Sequence, residues 1–279
     1  MIEVNEQLSW LQAIILGISQ GLTEFLPISS SAHTLIVSKL AGWPDPGAAF
    51  TAVTQIGTEL AVIIYFWKDL KLIFTNWFKS VIRFELPKDD HAKLGWYIII
   101  GSIPIGILGV VFKSEIETTA RNLYLVSFSL IVMGLLLGLF DRIAKHTKDF
   151  GNLNIRHALV FGIGQALALI PGVSRSGATI TFGLAMGYKR EFAARYSFLL
   201  AIPAVLGSGL FTARDIGTDD FVNWPATLLA TLIAFAVGYV VISVLMNYLK
   251  TKSFIPFVIY RVALGGLILI LLQRGIITS

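Results

Sequence analysis

The chain has 279 residues, 55% of them hydrophobic and 14% charged, with a net charge of +5. Soluble domains carry charged residues at about a quarter, so these shares and a mean hydropathy of +0.76 exclude an ordinary soluble enzyme and predict a polytopic α-helical membrane protein. Cysteine is absent, which excludes disulfides and thiolate metal ligands. The basic excess sits in short loops between apolar runs, which assigns it to membrane topology and not to nucleic acid.

In chain order, residues 1–7 are polar and carry no basic n-region or small-residue cleavage site, so no cleaved signal peptide is expected. Leu8–Leu26 reads as an apolar helix interrupted by Gln20 and Glu24, which share one face at a spacing of four. Pro27 breaks it, Ser29, Ser30 and Ser31 supply N-caps for a new helix, and Ala32–Leu40 is too short to cross a bilayer. A helix, a Pro-Ser break and a short helix predict a re-entrant hairpin, which is tolerated at membrane depth only where it lines a cavity or is buried in protein. Gly42–Gly47 is a turn and Ala48–Trp67 the first full span. A polar loop is expected over 68–93, then spans at 94–112 and 123–140 around a short loop at 113–122.

After a polar loop at 141–156, His157–Ile170 stops at PGVSRSGAT, and Ile180–Gly187 is again too short to cross. Runs at 193–213, 224–248 and 254–273 complete an order of hairpin, three spans, hairpin, three spans. GISQGLTEFLPISSSA (Gly17–Ala32) lies over GIGQALALIPGVSRSG (Gly162–Gly177) at an offset of 145. Gly17 then matches Gly162, Gln20 matches Gln165 and Ser29 matches Ser174, with Pro27 and Pro171 one residue out of register. The expected architecture is an all-α membrane protein forming one integral membrane domain over 1–279, with repeats at about 8–140 and 157–273. Three spans between the hairpins make the repeats inverted. Fifteen Lys/Arg then fall on one side, in 68–93, 141–156, 188–195 and 249–253, against Lys39, Lys113, Arg121, Arg214 and Arg274 on the other. The positive-inside rule places both termini and the mouth of the first hairpin on the outer side. Inverted repeats with broken helices hold their sites near the midplane, where half-helix ends converge.

Of the 17 acidic residues, Glu24 and Glu59 fall inside apolar segments, and the comparable basic pair is Arg175 and Arg261. A carboxylate at membrane depth costs about 2.5–3.5 kcal/mol, so each such residue needs a partner or a task. Glu24 and Arg175 stand at the two hairpin breaks, and an inverted arrangement brings them together, either as an ion pair fastening the hairpins or as a site. In PGVSRSGAT, glycines admit close backbone approach, hydroxyls donate, a helix N-terminus favours negative charge and Arg175 offers a fork matched to phosphate. Gln20 with Glu24 suits a hard divalent cation, Mg²⁺ or Ca²⁺, with Gln20 alternatively bonded to a neighbouring helix. His33 follows the hydroxyl cluster closely enough to serve as a base. His91, His146 and His157 fall in or beside polar loops and are read as solvated. Glu59, at i+4 from Gln55, either lines the same cavity or, as the favoured expectation, makes a helix-to-helix hydrogen bond. Arg261 either snorkels to the inner surface or belongs to the site.

QGLTEFLPISSSAH and PGVSRSGAT, followed by SFLLAIPAVLG and SFIPFVIYR, resemble the undecaprenyl pyrophosphate phosphatases of the bacitracin-resistance (BacA) type, over nearly the whole chain. The resemblance implies a multi-pass phosphatase of the bacterial cytoplasmic (inner) membrane. It would remove the terminal phosphate of undecaprenyl pyrophosphate and recycle the lipid carrier for peptidoglycan. It implies an inverted-repeat fold with two re-entrant hairpins, surrounded by membrane lipid, and leaves a homodimer open. It places the family's acidic motif at Gln20 and Glu24 in the glutamine form, so that Glu24 dominates cation binding or proton transfer. Its catalytic serine falls on Ser30, its histidine on His33 and its phosphate-binding arginine on Arg175, with substrate contacts from Ser29, Ser174, Ser176 and Thr179. Glu59 lies outside that pattern. The expected chemistry is metal-assisted phosphoryl transfer in a cavity opening outward. Either Ser30 attacks with His33 as base, or His33 attacks or activates water. A lipid-phosphate flippase using the same anion-binding hairpins is the rival from a different class.

Overall fold

The computed structural model describes residues 8–83, 89–115, 122–216 and 223–277. The polar 1–7, residues 84–88 of the expected loop with Lys88, and 116–121 with Arg121 lie outside the described residues, as do 217–222 and 278–279. Many of the helices start where a small polar side chain can take a free backbone N–H. Ser9 and Gln12 form a capping box at the head of α1 (Trp10–Thr23), and Ser29 caps α2 (Ser30–Ala41), which ends at Gly42 with φ +66°. Helices α3 (Gly47–Tyr65) and α4 (Trp67–Ile82) follow, then α5 (Asp90–Val111) capped by Asp89, and α6 (Leu123–Ile143) capped by Asn122. Asn154 caps α7 (Ile155–Ala166), which tightens into a 3₁₀ turn at Leu167–Leu169, and Ser174 caps α8 (Arg175–Ala185). The chain continues as α9 (Arg190–Ile216), α10 (Trp224–Tyr248) and α11 (Ile255–Gln273).

Five of these, α5, α6, α9, α10 and α11, are long and apolar enough to cross a membrane, and α3 joined to α4 makes up to six. The all-α multi-pass architecture is therefore as expected, and so are two pairs of helices too short to span, α1 with α2 and α7 with α8.

The expected polar loop at 68–93 is instead largely helix α4, turned by 81° from α3. Leu70, Ile73, Phe74, Trp77 and Phe78 recur at the i, i+3, i+4, i+7, i+8 spacing of one helical face, with Lys68, Lys71 and Lys79 between them. Counting charges hid that period. Ile73 is buried and Trp77 packs directly over Gly95 of α5.

The loop after α6 also differs. Asp141 is buried at the end of that helix, where it takes the Nε–H of Arg190 at 2.5 Å and the backbone N–H of Phe254 at 3.0 Å. It is a third acid held inside the protein, missed because Arg142 beside it makes the segment look solvated. The loop folds back onto buried Tyr188. One ring nitrogen of His146 meets Tyr188 O at 3.3 Å and the other meets Asp141 O at 3.0 Å, while His157 Nδ1 meets Tyr188 Oη at 2.8 Å. These two histidines are half-buried and are also held by hydrogen bonds. His91 is half-buried, 3.6 Å from Asp89. Among the described residues, four of the fifteen basic residues counted to one side pair with acids: Arg190 with Asp141, Lys189 with Asp149 at 2.9 Å, Arg195 with Asp69 at 2.6 Å and Lys93 with Asp90 at 2.9 Å.

Short hairpin helices reach the protein centre because glycines let long helices come close. A Cβ on Gly17 of α1 would stand 2.6 Å from Ala230 O of α10, and one on Gly162 of α7 would overlap Gly101 O of α5. Each hairpin thus leans on a long helix from the other half of the chain, at the two glycines paired by the 145-residue offset. Gly162→Ala should destabilise the protein by about 1–3 kcal/mol through overpacking. Gly106→Ala, with nothing within 4 Å, should not. Thermal unfolding of both variants in detergent checks this.

Candidate functional site

Both hairpin breaks are built alike. Ser29 has φ 74° and ψ 97°, and Ser174 has φ 71° and ψ 116°, in a region that costs a non-glycine residue of order 1–3 kcal/mol. Each Oγ accepts a backbone N–H three residues on, from Ala32 at 3.4 Å and Gly177 at 3.2 Å. Each lies 3.3 Å from the next-but-one serine hydroxyl, Ser31 or Ser176. The strained serines start α2 and α8 at Ser30 and Arg175, and both of these side chains reach Glu24, Ser30 from the same hairpin and Arg175 from the other.

Glu24 is where they meet. Its Oε1 takes Arg175 Nη2 at 2.7 Å, and its Oε2 takes Gln20 Nε2 at 2.8 Å and Ser30 Oγ at 2.6 Å. The Glu24 side chain is 5% exposed and that of Arg175 17%, so the pair is weakly screened. Arg175 Nη1 also reaches Ala201 O at 3.4 Å. Glu59 on α3 enters the same group, with Oε2 3.7 Å from Arg175 Nη2. The helix-to-helix hydrogen bond expected for Glu59 is not its contact, because the charge of Arg175 is the stronger attraction at that depth.

Other hydroxyls hold the hairpins. Ser176 Oγ donates to Glu24 O and Leu26 O, both at 3.3 Å, and Thr179 Oγ1 is spent on Arg175 O at 2.8 Å. Gln165, the repeat mate of Gln20, is buried with neither end of its amide partnered.

His33 is buried next to the site, but neither ring nitrogen bonds Ser30. Nδ1 lies 2.7 Å from Ser29 O and Nε2 lies 2.7 Å from Tyr260 Oη, with the two rings stacked. A carbonyl only accepts, so Nδ1 carries the proton, and in the neutral ring Nε2 accepts from Tyr260. The structure therefore gathers Gln20, Glu24, Ser30 and Arg175, with His33 one residue-width away.

Arg261 does not snorkel. It is fully buried and donates from Nε to Leu130 O (3.1 Å) and from Nη1 to Pro27 O (2.9 Å). Its Nη2 serves Ser129 O, Gly172 O and Val173 O at 3.3, 3.1 and 3.0 Å. Pro27 lies in one hairpin break, and Gly172 and Val173 lie in the other. One guanidinium thus satisfies carbonyls that the broken helices leave open, and a Cβ on Gly177 would stand 2.7 Å from its Nη1. Carbonyl clusters at two proline breaks were the available signal for it. Tyr260 was missed, since nothing local marks a phenol that meets a histidine 227 residues away.

Among the described residues, no group of three or more His, Asp or Glu is placed to hold a metal alone. Glu24 and Glu59, with the hydroxyl of Ser30, do offer hard oxygens. That set fits Mg²⁺ or Ca²⁺, which share their coordination with substrate oxygens and water.

The chain is similar to known proteins over nearly its whole length. A sequence model of the family described as bacitracin resistance protein BacA matches residues 13–267. A protein named undecaprenyl-diphosphatase from Thermobifida fusca is 56% identical over 271 residues, covering 97% of this chain and 93% of its own. Proteins named undecaprenyl-diphosphatase 2 from Streptomyces avermitilis and Agrobacterium fabrum are 54% and 53% identical, covering 96% and 98% of this chain and 96% and 99% of their own. Matched end to end by these relatives and over residues 13–267 by the family model, the chain belongs to the bacitracin resistance protein BacA family.

Proposed function

We propose that the chain is an undecaprenyl-diphosphatase, hydrolysing undecaprenyl pyrophosphate to undecaprenyl phosphate and inorganic phosphate. The observation that carries this reading is one carboxylate, Glu24, bonded at once to the hydroxyl of Ser30 and the guanidinium of Arg175. A hydroxyl donating to a buried carboxylate is a nucleophile paired with its base, and the guanidinium beside it neutralises charge on the transferred phosphoryl group.

Ser30 Oγ attacks the terminal phosphorus as its proton passes to Glu24 Oε2. The bond from that phosphorus to the bridging oxygen breaks, and undecaprenyl phosphate leaves as the anion. Water then forms a new bond to the phosphorus and loses a proton to solvent, the Ser30 O–P bond breaks, and Glu24 Oε2 returns its proton to the serine oxygen. Arg175 holds the phosphate through both halves. A divalent cation held at Glu24 beside Gln20 would neutralise charge on the pyrophosphate oxygens. His33, fixed between Ser29 and Tyr260, orients the turn that carries Ser30. Ser29, Ser174, Ser176 and Thr179 contribute by shaping the two breaks that present backbone N–H groups to the head group. An apolar groove of about 320 Å³ beside Pro171, lined by Leu108, Phe112, Leu125, Ile163 and Ile170, suits the first units of the prenyl chain.

The same proposal includes an inverted relation between the halves, a location in the bacterial inner membrane and a site opening to the outer side. The like geometry at Ser29 and Ser174, the exchange of partners at Gly17 and Gly162 and the basic excess in the 68–93 and 141–156 segments support it.

Detergent-solubilised protein should release inorganic phosphate from undecaprenyl pyrophosphate with no membrane to cross, and a flippase would release none. Rapid acid quenching with ³²P-labelled substrate should trap label on Ser30, and Ser30→Ala should remove both the label and the release. Label on His33 would reassign the nucleophile.

A further inference from the structure

We propose that Glu59 is the second carboxylate of this site and joins Glu24 in holding the divalent cation that accompanies the pyrophosphate. The inference rests on the phosphatase reading of the same residues.

Glu59 sits within the apolar helix α3 and is 1% exposed. Its Oε2 faces Arg175 Nη2, the nitrogen that also bonds Glu24 Oε1, so one guanidinium lies between two acids. Its Oε1 is buried with no hydrogen-bond partner. An ion pair that merely fastened the hairpins would need one acid for one arginine. Two carboxylates against one guanidinium leave an excess negative charge in low dielectric, and a pyrophosphate deepens that excess. Such a set is costly unless a proton or a cation completes it, and with a pyrophosphate beside it a cation serves both anions.

Position 20 explains why the second acid comes from another helix. Gln20 lies four residues before Glu24 on the same face of α1, where a carboxylate would form a ligand pair with it. The amide is neutral and is turned as a donor to Glu24 Oε2. Glu59 restores the missing charge from α3, with an unshared oxygen of the hard type that Mg²⁺ and Ca²⁺ select. Glu59 and Gln20 are then two places for one charge, and moving the carboxylate back to α1 should be tolerated.

Mn²⁺ binding to the purified full chain in detergent, followed by the free-ion paramagnetic resonance signal with inorganic pyrophosphate present, tests this without turnover. Glu59→Gln should weaken Mn²⁺ binding by about tenfold or more. The double variant Gln20→Glu/Glu59→Gln should recover near wild-type affinity. Glu59→Gln binding Mn²⁺ as the wild type does overturns the proposal, and so does a double variant no tighter than the single one when both keep the wild-type melting temperature. Should Glu59→Gln fail to fold, Gln20→Glu alone decides. A third carboxylate should tighten Mn²⁺ binding by about tenfold, and unchanged binding overturns the assignment. Phosphate release by the wild-type preparation is read separately, so its absence removes the phosphatase reading while the Mn²⁺ titration still scores Glu59.

Discussion

Arg261→Lys should reduce phosphate release by about 10²-fold or more and destabilise the protein by about 3–5 kcal/mol, although it keeps the positive charge. The guanidinium reaches five carbonyls, drawn from α6 and from both hairpin breaks. A lysine ammonium has three donors on a single atom and cannot span Pro27, Gly172 and Leu130 together. At least two carbonyls would be left buried without donors, each at about 1–3 kcal/mol. The loss in activity has a second source. Pro27 and Gly172 flank Ser30 and Arg175, so a shift of one break against the other misaligns the proposed nucleophile and the proposed phosphate ligand, and about 1 Å of misplacement is enough for such a loss. Melting temperature and phosphate release, measured on the same preparation, should fall together. A variant that melted lower yet kept full turnover would show that Arg261 supports the fold without setting the site.

Glu24→Gln should lower kcat/KM by about 10²–10⁴-fold while leaving the hairpins assembled, because the amide keeps the shape but neither the charge nor the basicity. Glu24 receives Gln20, Ser30 and Arg175. Its loss removes the acceptor for the serine proton and frees Arg175 to pair with Glu59 alone. His33→Ala should cost less than Glu24→Gln, since both imidazole nitrogens are engaged by Ser29 and Tyr260 and not by Ser30. Rates for the two variants at saturating substrate decide the order, and a larger loss at His33 would make the imidazole the base. Arg175→Lys should act on the same scale as Glu24→Gln, through the lost fork and not the charge.

The hairpins were legible because proline and serine break an apolar run in a way local chemistry can read. The approach of Glu24 to Arg175 was legible because two opposite charges inside apolar sequence demand one another, and each stands beside a proline-serine break. Helix α4 was open to the same reading, since its apolar residues keep helical spacing, but lysines in a presumed loop masked the period. Asp141 escaped because it lies at a helix end, where burial depends on Arg190 and Phe254 arriving from 49 and 113 residues away.

Local signals determined which segments enter the membrane, where two of them break, and which few polar groups are carried inside. Those properties follow from propensity and transfer free energy, which act residue by residue along the chain. Tertiary structure alone decided who meets whom: Ser30 with Glu24 and not His33, Glu59 with Arg175, and Arg261 with the open carbonyls of both breaks. In a low-dielectric interior a polar group is stabilised by finding a partner, but which partner depends on helices brought into contact at Gly17 and Gly162, and that choice is made in space and not along the sequence.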